Sequence, residues 1–367
     1  MDAVVIGAGP GGLATSRELK RRGIEHVVLE RGDAPAHTWA NLYDSLVLHT
    51  GKHMSALPGL RFPATAPLFP PREEFVEYLR RYATTFELPI RTNAEVVKVE
   101  RAKGRWLIRS RSGEELAARA VIVATGIASN PIIPEIHNRA RFHGRVRHSI
   151  DYKNAANAKG RRILVVGAGN SSGEIASELS TAGAKVTLAV RNGAHIVPRE
   201  ILGVPIQYIS VPLGYLPRRL QRGIATLLGS TIATLKGKSV LPAPAPGGCA
   251  RVPIIGFHLA DEIRRGAIVV KGDVGAFTDD GMTFLDGTSD EFDEVIFATG
   301  FRATLGMFGD AIQLDPCGFG RRRKRVVSTD QPDLYFVGHN PDVRGGIFMI
   351  GRDARRVAKL IQRSGVA

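Results

Sequence analysis

The chain has 367 residues, 44% of them apolar, and no low-complexity tract, which excludes a disordered chain and leaves room for two domains with a substantial core. Fifty Lys and Arg against 35 Asp and Glu give a net charge of +15, which favours solubility and the approach of anionic cofactors. Two cysteines, Cys249 and Cys317, exclude a disulfide framework and a C-x-x-C redox pair and point to a reducing cytosol; no apolar run reaches the ~18 residues of a membrane span, and a core strand at the N-terminus leaves no place for a signal peptide.

Residues 3–6 read as an apolar strand and residues 13–21 as a helix, with Gly7, Gly9 and Gly12 between them as G-x-G-x-x-G. In that context Gly7 permits the turn, Gly9 lets the backbone approach a pyrophosphate, and Gly12 lets helix and strand pack closely. The helix N-terminus offers unpaired N–H groups and a partial positive charge to phosphates. A second strand at 26–29 ends in Glu30, where a carboxylate accepts both hydroxyls of an adenosine ribose.

Beyond Trp39 and a stretch of small residues and His at 41–60, the prolines of segment 61–71 exclude helix and central strand. Residues 72–86 are predicted as an amphipathic helix with Phe75, Tyr78, Leu79, Tyr82 and Phe86 on its core face. A strand at 89–99 leads into a β-meander, its turns marked by Lys103-Gly104 and Ser112-Gly113, that ends in V-I-V-A-T-G at 121–126. Asn130-Pro131 and Ile133-Pro134 then mark a crossing between domains.

The opening signature recurs at 164–179 almost position for position, with Gly167, Gly169 and Ser172 in the three glycine places. This second βαβ unit, 162–190, is followed by Arg191, whose guanidinium suits a 2′-phosphate and points to NADPH rather than NADH. Residues 224–235, apolar between basic flanks, read as a helix that lines a substrate pocket or lies on a membrane surface. The proline-rich 241–246 is a loop, 256–265 a helix, and a second meander with turns at Asp280-Gly281 and Asp286-Gly287 ends in V-I-F-A-T-G at 295–300. The basic run Arg321 to Arg325 falls in a hairpin between Leu314 and Val327; lacking interleaved aromatics and any recognition motif, it reads as a solvated loop and not a nucleic-acid surface. A buried strand at 334–338, a Gly-rich turn at 340–346 and a helix at 347–362 return the chain to the first domain. The expected fold class is therefore α/β: two Rossmann-like dinucleotide-binding domains, 1–155 with 286–367 forming the first and 156–285 inserted in it as the second.

Across nearly its whole length the chain resembles the flavin-containing monooxygenases. The likeness is carried by the two glycine motifs, by Phe142, Gly144, His148 and Ser149 in an F-x-G-x-x-x-H-S/T fingerprint, and by the Ala-Thr-Gly at 298–300. Within that family it is most similar to small bacterial members and to the plant YUCCA enzymes, which oxidise indole-3-pyruvate; Tyr43-Asp44, Leu48-His49, Lys52, Leu57-Pro58 and residues 195–203 carry that likeness.

The resemblance implies a glutathione-reductase-like arrangement with two cofactors, FAD and NADPH. It implies FAD contacts from Gly7, Gly9, Pro10, Gly11, Gly12, Glu30, Arg31, Thr38, Trp39, Ala124, Thr125 and Gly126, with the Val97 backbone at the adenine. It implies NADP contacts from Gly167, Gly169, Asn170, Ser171, Ser172, Arg191 and Asn192, and cofactor contacts from Thr299 and Gly300, while His148 buttresses the domain crossing. The implied chemistry is reduction of FAD by NADPH, capture of dioxygen as a C4a-peroxyflavin, and oxygenation of a small keto acid, ketone, sulfide or amine by a cytoplasmic homodimer without a transmembrane segment.

The S-N-G-P-K-E segment of the S/N-oxygenating members is replaced here by residues 48–53, LHTGKH, so the asparagine is missing. His49, Thr50 and Lys52 become the catalytic candidates, with the Lys52 ammonium placed to stabilise a developing anion or an acidic substrate. An NADPH oxidase that releases hydrogen peroxide is the alternative enzyme. A nucleotide sensor is the alternative outside catalysis, opposed by the second glycine motif, and the cysteine count opposes a disulfide reductase.

Overall fold

The computed structural model of the chain describes residues 1–213, 215–217, 219–220, 223–224, 239–244, 253–340 and 345–364. Strand Ala3–Ile6 lies inside a seven-stranded sheet, parallel to His26–Leu29 on one side and to Ala120–Val123 on the other, with Val5 opposite both Val28 and Ile122. Every residue of Ala3–Ile6 and Ala120–Val123 is buried, as the unbroken apolar runs require of strands covered on both faces. Leu334–Phe336 adds a further parallel strand beside Ala120–Val123, so the chain's end does rejoin its beginning. The C-terminal helix Gly346–Ser364 packs along the first glycine helix, Pro10–Lys20, burying Met349, Ala354, Val357, Ala358 and Ile361.

The helix Arg72–Thr85 covers the same core with Phe75, Tyr78, Leu79 and Tyr82. Its rings stack: Phe62 lies 4.0 Å from Tyr78, and Trp39 meets Phe75 edge-on at 4.7 Å. The strand expected at 89–99 is instead two strands belonging to different sheets. Ile90–Arg91 closes the parallel sheet beside His26–Leu29, and Val96–Ala102 opens the meander. Lys103 and Gly104, both at positive φ, make the two-residue turn to Arg105–Ser110.

The second sheet runs Ile268–Lys271, Lys185–Ala189, Arg162–Val166, Glu294–Phe297, Arg145–His148, all parallel. This corrects the expected boundaries at 155 and 286. Arg145–His148 and Glu294–Phe297, which those limits put with the first unit, are strands of the second, because Glu294–Phe297 pairs with Arg162–Val166. Glu294 is fully buried between Arg147 (2.5 Å) and Arg161 (3.0 Å), an ion pair that pins this edge of the sheet.

The basic run is a hairpin, Arg322–Arg323 against Val327–Ser328, but it is not simply solvated. Arg322 is largely buried and donates to the carbonyls of Gly320 and His339 and to Asn340, while Arg325 pairs with Asp353 at 3.2 Å. Cys317 is disulfide-bonded. Residues 225–235, the apolar segment expected to line a pocket or lie on a membrane, fall outside the described residues, as do 245–246 and 341–344. No described helix is long and apolar enough to cross a membrane, and no described cluster of His, Cys, Asp or Glu could hold a metal.

Candidate functional site

A cavity of about 400 Å³ opens above the first glycine turn. Gly7 sits at φ +102, where a Cβ would meet the Ala124 carbonyl oxygen at 2.7 Å; at Gly12 a Cβ would lie 1.8 Å from the Gly7 oxygen. Gly9, in contrast, has nothing within 4 Å of a would-be Cβ. Two glycines are therefore dictated by the protein's own packing, and the third leaves empty a cradle over the N-terminus of helix Pro10–Lys20, which no side chain caps. That uncapped helix start, with room at Gly9 for close approach, fits a dinucleotide pyrophosphate.

Gly7, Gly9, Pro10, Gly11, Glu30, Arg31, Thr38, Trp39, Ala124, Thr125 and Gly126 all reach the cavity wall. Gly12 lies beneath it as packing. Ala94, Glu95 and Val96, next to Val97, line the cavity, while the Val97 side chain is 40% exposed. Alternate residues of a strand face opposite sides, and an irregularity between Val96 and Lys98 shifts the register there. Glu30 is nearly fully buried, its carboxylate accepting from the backbone N–H groups of Ala8 (2.7 Å) and Gly32 (2.9 Å). A carboxylate has about four acceptor sites, so two remain for a ribose. Ala36, at φ +63, starts the one-turn helix His37–Ala40 that presents Thr38 and Trp39.

The chain's far end supplies wall that the motifs did not reveal: Val337, Gly338, Gly346, Ile347 and Ile350. A second helix N-terminus, at Gly346, thus meets the first at one cavity. The signal was in the sequence as another strand, glycine turn and helix, without a fingerprint spacing.

The three catalytic candidates separate. His49 and Thr50 line the cavity, although the Thr50 hydroxyl is engaged with Ser55 Oγ at 2.5 Å. Lys52 does not line it: Nζ donates to the carbonyls of Ala64 (2.8 Å) and Ala66 (2.5 Å), with Pro63 O at 3.5 Å. The proline-rich segment leaves carbonyls without ladder partners, and the ammonium, with three donors and no acceptor, satisfies them. Its expected role beside the reacting atoms is corrected to an anchor of this loop. Lys52→Met is expected to lower stability by about 1–2 kcal/mol and to leave FAD affinity as in the wild type, read by a thermal scan and an FAD titration.

His49 is held from the other unit. Its Nε2 lies 3.2 Å from Glu174 Oε1, on the helix Asn170–Thr181. Glu174 Oε2 accepts from the Tyr43 hydroxyl, and the His49 carbonyl accepts from Gln207 Nε2 at 3.1 Å. Burial, with the Arg199 charge nearby, takes the imidazole down to about 4, so it is neutral at pH 7. Burial pushes the Glu174 carboxyl up to about 7. Helix Ile206–Leu213 closes over this turn, where a Cβ at Gly51 would meet Tyr208 Oη at 2.9 Å.

At the second glycine motif the same logic is relaxed. Gly167, at φ +141, cannot carry a side chain because Ala298 O would be 2.3 Å away, and Gly169 is again open. The third place holds Ser172, whose hydroxyl donates to Gly169 O (2.7 Å) and accepts from Gly169 N–H (2.8 Å). The Asn170 side chain donates to Pro253 O and accepts from the Ile255 N–H, which fixes it at the start of this helix. Ser171 lies in the first turn of the same helix, and Arg191, exposed, and Asn192 follow strand Lys185–Ala189.

Thr299 and Gly300 do not line the first cavity. The Thr299 hydroxyl donates to Ile132 O, and Gly300 O accepts from Ile132 N–H (2.9 Å) and from His148 Nε2 (3.1 Å). His148 Nδ1 accepts from Ile150 N–H at 3.2 Å, so this buried imidazole is neutral and clamps the crossing between the two units.

Residues 4–199 match the family described as pyridine nucleotide-disulphide oxidoreductase. The indole-3-pyruvate monooxygenase YUCCA1 of Oryza sativa subsp. japonica is 36% identical to this chain, the match covering 97% of this chain and 90% of the rice protein. A probable indole-3-pyruvate monooxygenase YUCCA1 of Arabidopsis thaliana is also 36% identical, over 82% of this chain and 76% of its own length. Among solved structures, the flavin-containing monooxygenase from Stenotrophomonas maltophilia superposes with a TM-score of 0.79 at 25% identity, covering 100% of this chain and 99% of that one.

Proposed function

The chain belongs to the flavin-containing monooxygenase family, and from that premise we propose that it oxygenates a small 2-oxo acid bearing an aromatic side chain, with FAD seated in the first cavity and NADPH on the second glycine helix. The observation that carries the reading is the open cradle at Gly9, where a Cβ would have no protein atom within 4 Å. When bound, FAD reduced by NADPH supplies the activation of dioxygen and the transfer of one oxygen atom.

The protein's part is placement and exclusion of water. The N-termini of Pro10–Lys20 and Gly346–Ser364 offer N–H groups and partial positive charge to an anionic cofactor, and Glu30 offers its remaining lone pairs to the ribose. Leu29, Leu48, Met307, Ile347 and Ile350 make the remaining wall largely apolar, so a reactive oxygen species formed there meets little water. Arg191 presents its guanidinium to a 2′-phosphate at the second unit.

The FAD-loaded protein is to be supplied with NADPH, isotopically heavy dioxygen and phenylpyruvate or indole-3-pyruvate. The expected result is one oxygenated product per NADPH, carrying one heavy oxygen atom. Recovery of all reducing equivalents as hydrogen peroxide with every 2-oxo acid, ketone, sulfide and amine tried would replace the proposal with an NADPH oxidase.

A further inference from the structure

We propose that Glu174 is a positioning residue for His49: from the second glycine helix it reaches across the seam between the two units, fixes the imidazole's tautomer, and passes it a proton for delivery at Nδ1. The inference deepens the monooxygenase reading and rests on it.

Three side chains form a line from the seam to the cavity. The Tyr43 hydroxyl donates to Glu174 Oε2, Glu174 Oε1 faces His49 Nε2 at 3.2 Å, and His49 lines the cavity. The exposed fractions of His49 and Glu174 are 23% and 27%, so the pair is largely withdrawn from water yet open to it at one side. The imidazole is held at its base, since Leu48 N–H donates to Pro70 O (2.9 Å) and Gln207 Nε2 to His49 O (3.1 Å). Nδ1 has no hydrogen-bond partner among the described residues. A carboxylate 3.2 Å from one ring nitrogen, with the other nitrogen left without a described partner, is placed to orient a general acid or base.

The reaction takes up one proton for each NADPH and dioxygen consumed. With a proton on Oε1, the acid donates to Nε2 and the ring carries its own proton on Nδ1. Release of the Nδ1 proton into the cavity lets Nε2 take the proton from Oε1, leaving Nε2–H donating to a carboxylate. One solvent proton restores the pair.

Glu174 is faced by Tyr43, by Glu178 on its own helix and by Arg199; His49 is faced by Arg199. Burial raises the carboxyl, the Tyr43 hydrogen bond and Arg199 lower it, and Glu178 raises it, to about 7 in all. The pair therefore holds its transferable proton below about pH 7 and loses it as the pH rises through that value.

The test uses FAD-loaded wild type, Glu174→Gln, His49→Gln and the double variant. NADPH oxidation is followed against pH with and without an acceptor, and ¹⁵N spectra of histidine-labelled protein report the His49 tautomer. Glu174→Gln is expected to lower kcat about tenfold, to abolish the alkaline limb near pH 7, and to leave the KM for NADPH within about twofold, with the double variant no slower than His49→Gln. In wild type the tautomer should follow pH with the same midpoint as the rate, and in Glu174→Gln it should not titrate there. An unchanged pH limb, an effect confined to KM, or additive losses in the double variant would overturn the proposal.

Should Glu174→Gln fail to retain FAD, Tyr43→Phe carries the test. It removes a hydrogen bond that favours the carboxylate, so the limb must move to higher pH; a fixed limb refutes the relay. A failure of the monooxygenase reading shows separately, as peroxide release at every pH in the wild type. The limb and the tautomer are read without any acceptor.

Discussion

Gly12→Ala should give a protein that unfolds well below the wild type and retains no FAD, whereas Gly9→Ala should fold normally and lose only affinity for the dinucleotide. At Gly12 the added methyl would stand 1.8 Å from the Gly7 oxygen and 2.9 Å from its carbonyl carbon. Both are backbone atoms of the turn itself, so relief requires moving the helix off strand Ala3–Ile6, with a cost of about 3 kcal/mol or more. Gly9 has φ −79 and ψ −170, an ordinary extended conformation, and its Cβ would meet no protein atom. Alanine there narrows the unfolded ensemble and is neutral to slightly stabilising, by up to about 1 kcal/mol. The same methyl occupies the cradle, and FAD affinity should fall at least about tenfold, or ~1.4 kcal/mol. Thermal scans of the FAD-free variants and fluorescence titration with FAD separate the two effects. A Gly12→Ala variant with wild-type stability would show that helix and strand are not in the close contact seen here.

This contrast also shows how far the sequence could be read. The two strand–glycine–helix units were legible because all their determinants are local: an apolar run, a spacing of glycines, a helix following at once. Even their difference, Gly12 in one and Ser172 in the other, was visible as letters, but its meaning was not. Only the structure shows that Ser172 closes a reciprocal hydrogen-bond pair with Gly169 where Gly12 has no room for any side chain.

What failed to be legible depended on partners distant in the chain or on parity along a strand. Lys52 looked free until the carbonyls of 64 and 66 met it. Val96 and Val97 are alike as residues, and a local irregularity decides which faces the cavity. The fingerprint strand Arg145–His148 lay in what read as a crossing, and its pairing with Glu294–Phe297 moved the domain boundary. Glu174 was one more acidic residue on a helix until its two oxygens were seen to meet Tyr43 and His49, both more than a hundred positions away.

Arg191→Glu should raise the KM for NADPH about a hundredfold, ~2.7 kcal/mol, and leave that for NADH nearly unchanged. The backbone gives the reason. Gly7 N–H donates to Leu29 O in the first unit and Gly167 N–H to Ala189 O in the second, so the position of Glu30 is taken in the second unit by Val190, buried at 4% exposure. The second unit therefore has no carboxylate where the first offers one to a ribose diol. The next residue, Arg191, is exposed and makes no ion pair with any described residue. A guanidinium there gains charge-assisted hydrogen bonds with a 2′-phosphate and little from a 2′-hydroxyl. Reversing its charge removes the attraction and adds repulsion, both screened by salt, so the penalty for NADPH should shrink at high ionic strength. Steady-state rates with each cofactor at low and high salt decide the matter. Equal losses for NADH and NADPH would mean that Arg191 supports the fold of the strand end and does not read the phosphate.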